Sequence, residues 1–199
     1  MKKILFLIIA MTAFTSLASA QMQLSFGPGA GFNGAFHSSD EDEEVFSHFG
    51  ALVTSQFDLQ FSRRLALLLW VDFFSDMSVK DEWEGMYEKW YLHYFQISPT
   101  LKYCLRGSKF YLFTGPGFGF KTKGKIKYTD DNYTKEEDIY DICTRVDLRF
   151  GAGYDFFLTK KFTLSPFAMF NVGLNNVVKD SDWRINAIQA GIILRFNTF

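Results

Sequence analysis

A chain of 199 residues with 21 basic and 22 acidic side chains has the length of one domain, and no cationic excess or motif suited to a nucleic-acid backbone. Its 24 Phe and 9 Tyr exceed what a soluble core of this size usually holds. After residue 20 no apolar stretch is long enough to cross a bilayer as a helix, which in so aromatic a chain suggests a different way of meeting lipid.

The first element is a leader. In MKKILFLIIAMTAFTSLASA (1–20), Lys2 and Lys3 form a positive start, Ile4 to Phe14 an apolar core, and Ala18, Ser19 and Ala20 a small-residue cleavage site. The expected organisation is a signal peptide over 1–20 and one barrel domain over 21–199. Gln21 stands where a lipoprotein would need cysteine. Without the two leader lysines, 19 basic residues face 22 acidic ones.

Eight stretches of period-two alternation follow, each expected as a strand: 23–36, 47–60, 64–76, 90–104, 109–121, 140–157, 162–174 and 184–197. The first carries Leu24, Phe26, Pro28, Ala30 and Phe32 on one face and Gly27, Gly29 and Gly31 on the other. The second sets Phe49, Ala51, Val53, Phe57, Leu59 and Phe61 against His48, Gly50, Thr54, Gln56 and Asp58. The fifth sets Phe110, Leu112, Phe118 and Phe120 against Gly115, Gly117 and Gly119. The sixth is the cleanest, with Ile142, Thr144, Val146, Leu148, Phe150, Ala152, Tyr154 and Phe156 opposite Cys143, Arg145, Asp147, Arg149, Gly151, Gly153 and Asp155. The seventh and eighth keep the pattern, ending in Ile188, Ala190, Ile192, Leu194 and Phe196 against Gln189, Gly191 and Arg195.

Short connections at 61–64, 106–109 and 159–161 alternate with long polar ones at 37–46, 77–89, 123–138 and 175–183. An even strand number with short turns at one end and long loops at the other describes an all-β, eight-stranded, antiparallel up-and-down transmembrane β-barrel, with the short turns periplasmic. Aromatic residues gather near strand ends as two girdles: Phe61, Tyr103, Phe110, Phe156, Phe162 and Phe196 below, Phe49, Phe73, Tyr91 and Phe120 above. A soluble lipocalin-like barrel is the competing architecture. It would turn the aromatic face inward.

Residues 29–34 fit the G-x-G-x-x-G of a dinucleotide-binding turn, but a polar loop and another strand follow where a helix is required. The glycines instead lie on the lumen face of a barrel too narrow for every inward side chain. They leave room for Trp70, Tyr94, Arg145 and Arg149. Pro28, Pro99, Pro116 and Pro166 all fall inside strands on the lipid face, where bulges or local widening are expected.

The lumen face collects Asp58, Asp72, Lys102, Arg145, Asp147, Arg149, Asp155 and Arg195. Charges enclosed in this way have to pair, so a salt-bridged plug is expected, with a narrow ion path as the alternative. Ser47-His48 and His93 sit at outer-rim height, His48 inward and His93 toward lipid, and so do not converge on one point. No catalytic, cofactor-binding or metal-binding residue is assigned. The acidic run from Asp40 to Glu44 lacks the glycine and spacing of a calcium loop. Lys121, Lys123, Lys125 and Lys127 alternate with Thr122, Gly124 and Ile126, which suggests that strands five and six continue outward as a ribbon open to a partner. Cys104 falls near the periplasmic end and Cys143 near the outer end, too far apart for a disulfide, so two free thiols are expected.

YFQISPTLKY (94–103), YLFTGPGFGF (111–120), FGAGYDF (150–156), FAMFNVGLNNV (167–177) and GIILRF (191–196) resemble the small porin-family outer-membrane β-barrels of the OmpX/OmpA group. The resemblance covers essentially all of 21–199. It implies a monomeric Gram-negative cell-envelope protein, placed by the barrel assembly machinery among outer-membrane lipid and lipopolysaccharide. It implies a structural or adhesive role through the outer loops, toward an extracellular protein or surface, without catalysis or cofactor. A lipid A-modifying barrel enzyme and a small-solute pore are the alternatives. Barrels of this group commonly end in Phe; Phe199 does so here, out of parity with Leu194 and Phe196.

Overall fold

The computed structural model describes residues 23–38, 46–83, 86–130, 133–139, 141–179 and 182–198. The leader, the acidic run 40–44 and Phe199 lie outside the described residues.

The described strands are β1 (Gln23–Ser38), β2 (Phe46–Gln60), β3 (Leu65–Asp76), β4 (Val79–Trp83), β5 (Met86–Cys104), β6 (Phe110–Asp130), β7 (Tyr133–Asp138), β8 (Arg145–Tyr154), β9 (Phe156–Phe157), β10 (Phe162–Gly173) and β11 (Arg184–Asn197). Every pairing is antiparallel. Eight long staves close on themselves in the order β1, β2, β3, β5, β6, β8, β10, β11 and back to β1. Closure leaves the eight staves no free edge to aggregate.

Orientation separates the two architectures. Phe32 is 73% and Phe49 75% exposed, whereas Arg149 and Asp72 are fully enclosed. Apolar rings therefore face outward and ions inward, the reverse of a lipocalin. At the periplasmic end, rings on neighbouring strands meet in a continuous row from Phe57 to Phe26 to Phe196 to Phe162, with centroids 4.9–6.3 Å apart. Phe26 and Phe57 thus join the lower girdle expected from the sequence. Phe49, Phe73 and Phe120 hold the upper one, all exposed.

The prolines lie in strands and point to lipid, but no bulge accompanies them. Register shifts occur instead at Val53/Thr54, Asp72/Ser75 and His93/Tyr94. At all four prolines the ladder on one side skips positions and resumes in unchanged register. Between β5 and β6 it passes from Ile97↔Phe118 to Leu101↔Thr114, so Pro99 and Pro116 face each other across the gap. Each proline still pairs on its other side, Pro99 with Leu69 and Pro116 with Leu148. A residue without N–H is accommodated by leaving one rung unmade.

Three expectations about the outer end need correction. The 77–89 stretch is not a loop but the β4–β5 hairpin, paired from Val79↔Trp90 to Trp83↔Met86. The outward ribbon is built from strands four and five of the sequence reading, here β5 and β6, with β7 added at its edge. The sixth predicted strand begins only at Arg145. Ile142 forms an isolated bridge to Val178 and packs against buried residues above the lumen instead of facing lipid.

Candidate functional site

Along the barrel axis the inward side chains form four layers. The lowest is a neutral ring of two cations and two carboxylates. Lys102 Nζ donates to Asp58 Oδ2 at 2.8 Å and Asp155 Oδ2 at 3.0 Å. Arg195 Nη1 donates to Asp58 Oδ2 at 2.5 Å, and Arg195 Nη2 to Asp155 and to Ser165 Oγ. Above it lies an apolar layer in which Trp70 meets Phe113 at 5.3 Å and Phe167 edge-on at 4.8 Å, among Leu52, Leu68 and Ile193.

The third layer is ionic again. Arg149 donates from Nη1 to Asp72 Oδ2 at 2.9 Å, from Nη2 to Gln96 Oε1 at 2.6 Å and from Nε to Asp147 Oδ1 at 3.2 Å. Thr54 Oγ1 donates to the other oxygen of Asp72 at 2.6 Å, and Arg145 Nε lies 3.4 Å from Asp147 Oδ2. This layer also balances, two guanidinium groups against two carboxylates. A second apolar layer of Met77, Leu92, Tyr94, Val177 and Ile185 lies toward the outer end, with Ile142 and Trp183 packed on it. All eight lumen charges expected from the sequence are buried here.

The glycines do what the narrow lumen demands. A Cβ at Gly151 would strike the Phe113 ring, one at Gly153 the Tyr111 ring, and one at Gly117 the Asp147 carboxylate and the Arg149 guanidinium. Each absent side chain is the space a large neighbour fills.

At the outer rim, Asp76 lies within electrostatic reach of both His48 and His93. His93 Nε2 is 3.7 Å from Asp76 Oδ1, which also accepts from Ser78 Oγ at 2.5 Å. The carboxylate stands between hydroxyl and imidazole. A nucleophilic triad needs the imidazole in the middle, taking the hydroxyl proton. Ser78 is moreover fully buried, with its Oγ 3.4 Å from the Leu92 amide that donates to it. Asp76 and Ser78 escaped sequence reading because they border the stretch taken for a loop. The Ser47 side chain lies outside the described residues.

Beyond the rim, β5, β6 and β7 stand out as a ribbon. The shift at His93/Tyr94 reverses parity along β6, so Lys123 pairs with His93 and Lys125 with Tyr91. Tyr91 is not a girdle ring: Lys89 and Lys123 lie over it at 4.6 and 4.8 Å. Lys125 Nζ donates to Glu136 Oε1 at 2.7 Å across the β6–β7 pair, and Lys135 bridges to Glu137. That bond raises the Lys125 ammonium and lowers the Glu136 carboxyl from their ordinary values. Every residue of β7 is exposed, and among the described residues β7 pairs on one side only.

The outer membrane protein beta-barrel domain family matches residues 19–179 of the chain. The chain belongs to this family. It is an outer-membrane protein, and the aromatic outer wall is its lipid-facing surface. Among curated proteins none matches its sequence. Among solved structures, OprG of Pseudomonas aeruginosa is similar in fold at 9% identity and a TM-score of 0.53, over 90% of this chain and 97% of that one. Ail of Yersinia pestis, solved with the heparin analogue sucrose octasulfate, aligns at 13% identity and a TM-score of 0.46, over 87% of this chain and 99% of that one. Neisserial surface protein A aligns at 14% and 0.47, over 86% and 96%.

A barrel of this family meets water at its two ends, and both ends carry features beyond the plug. Cys143, whose amide donates to Val177 O at 2.7 Å, is at the outer end; Cys104 is half-buried at the periplasmic end, and both thiols are free. Inside the periplasmic mouth lies a cavity of about 1020 Å³ whose inner end, or floor, is the Asp58–Lys102–Asp155–Arg195 ring. Its rim residues Arg63, Lys109 and Lys160 were missed as a group. The signal available was that each short turn carries cations and no carboxylate.

Proposed function

We propose that the mature barrel, residues 21–199 after removal of the 1–20 leader, is a monomeric, non-catalytic scaffold that presents the β5–β7 ribbon to an extracellular partner. The observation that carries this reading is the fully exposed, singly paired edge of β7. An open strand edge offers a row of backbone donors and acceptors to a strand of another chain. The layered lumen supports a structural role over conduction, since apolar layers lie above and below the Arg149 network and disfavour the passage of an ion. Lipopolysaccharide around the outer wall and the barrel assembly machinery during insertion complete the set of partners.

The test is deletion of 123–138. Proteoliposomes carrying the shortened barrel should lose adhesion to an extracellular-matrix surface that the intact barrel binds, while keeping the heat-dependent gel shift of a folded barrel. Undiminished adhesion by the folded deletion variant would refute the proposal. In planar bilayers the intact barrel should give no stable conductance steps. In cells, lipid A should keep the same acyl pattern with and without the protein.

A further inference from the structure

The three periplasmic turns hold six cations: Arg63 and Arg64, Arg106 and Lys109, Lys160 and Lys161. All six are exposed, and the turns 61–64, 105–109 and 156–161 contain no carboxylate. The six divide evenly. From each turn one cation lines the cavity in the barrel mouth, Arg63, Lys109 and Lys160, and one does not.

Deeper in the same cavity, Lys102 and Arg195 are matched by Asp58 and Asp155 at hydrogen-bond distance and contribute no net charge. The excess positive charge of the vestibule is therefore the three rim cations. Among the described residues none of them is ion-paired; Lys109 Nζ lies 5.5 Å from the centroid of the exposed Phe157 ring. Three cations from three separate chain segments, converging on a space of about 1020 Å³ over a neutral floor, suit a multivalent anion better than a single carboxylate. An arginine fork with two ammonium groups is a donor set that phosphate oxygens satisfy. Beside it Phe156 and Leu158, of the outward parity, are exposed, which places the vestibule at the depth of the periplasmic-leaflet headgroups, while Phe157 lines the vestibule.

We propose that the periplasmic vestibule is a phosphate-binding site, with Arg63, Lys109 and Lys160 as its ligands. The phosphate is carried either by an anionic phospholipid of the adjoining leaflet or by a soluble periplasmic compound. The barrel would then hold a ligand at its inner end, independently of what its outer ribbon binds.

The experiment compares two triple variants of equal charge loss: Arg63→Gln with Lys109→Gln and Lys160→Gln inside the vestibule, and Arg64→Gln with Arg106→Gln and Lys161→Gln outside it. In nanodiscs of zwitterionic lipid, inorganic pyrophosphate is titrated by calorimetry. In mixed nanodiscs, retention of phosphatidylglycerol is read by native mass spectrometry. Binding in the first arm identifies a soluble source, and retention in the second a lipid source. In whichever arm the intact barrel binds, the inner triple should weaken binding by roughly tenfold or more and the outer triple by about twofold, as screened charges at different distances require. Equal loss in both triples would reduce the effect to general surface charge and overturn the proposal. So would failure of the intact barrel to bind in either arm. All six positions are exposed on turns, and an unchanged gel shift confirms that both variants are folded.

Discussion

The Arg149–Asp72 pair in the lumen and the Lys125–Glu136 pair on the ribbon have nearly the same length, 2.9 and 2.7 Å. Both partners of the first are fully enclosed; those of the second are 37% and 49% exposed. In the lumen a lone charge has no water to fall back on, so each ion is obligatory once its partner is present. On the ribbon, water replaces either partner, and the pair adjusts the geometry of a hairpin without deciding whether it forms. Similar bonds at the two places therefore answer different questions, one about folding and one about what is displayed.

The sharpest way to break the comparison is Arg149→Leu, which strands Asp72 and leaves Asp147 to Arg145 alone. Loss of about 3–5 kcal/mol of unfolding free energy is expected, measured by urea titration in lipid bilayers. Replacing Arg149 and Asp72 together by leucine should recover much of that loss. A double variant no better than the single would mean that the rest of the network, and not the pair, sets the cost. Gly117→Val comes next. Its side chain would land on Asp147 and Arg149, and the overpacking should cost about 1–3 kcal/mol in the same titration.

At the small end, Lys125→Ala should leave barrel unfolding unchanged and lower only the hydrogen-exchange protection of 125–138. Because Glu136 titrates below the usual carboxylate range, its share of hairpin closure is present above that range and fades as the pH falls through the lowered value. Lys125, raised by the same bond, contributes below the ordinary ammonium value and loses its share as the pH rises through the raised one. Exchange protection of the hairpin should therefore peak between the two and fall on either side.

The difference between the two regions also explains what could be read from the amino acids. In the staves a slip of one residue would put Arg149 in lipid, so alternation is enforced, and all eight lumen charges were placed correctly from parity alone. The lumen's apolar layers were harder to see. Phe113 and Phe167 are indistinguishable in type from girdle rings, and only their parity separates them. Above the rim neither constraint holds. The extra residue at the His93/Tyr94 shift reversed the faces of β6 without any mark in composition, and Ile142 left the wall for the cap because nothing beyond the bilayer penalises it. Asp76 and Ser78 were lost with the hairpin that was taken for a loop. The cations of the short turns were visible, but their even division between the vestibule and its surroundings is a property of the closed barrel.

The most direct test of the account is a spin-label scan along β11, from residue 187 to residue 192, with Cys104 and Cys143 replaced by serine. Labels at Ile188, Ala190 and Ile192 should collide freely with lipid-soluble oxygen, and labels at Ala187 and Gln189 with neither oxygen nor a water-soluble nickel complex. Nickel access at Ala187 or Gln189 would reveal a wet lumen, and oxygen access without the two-residue period would contradict the outward placement of the apolar face.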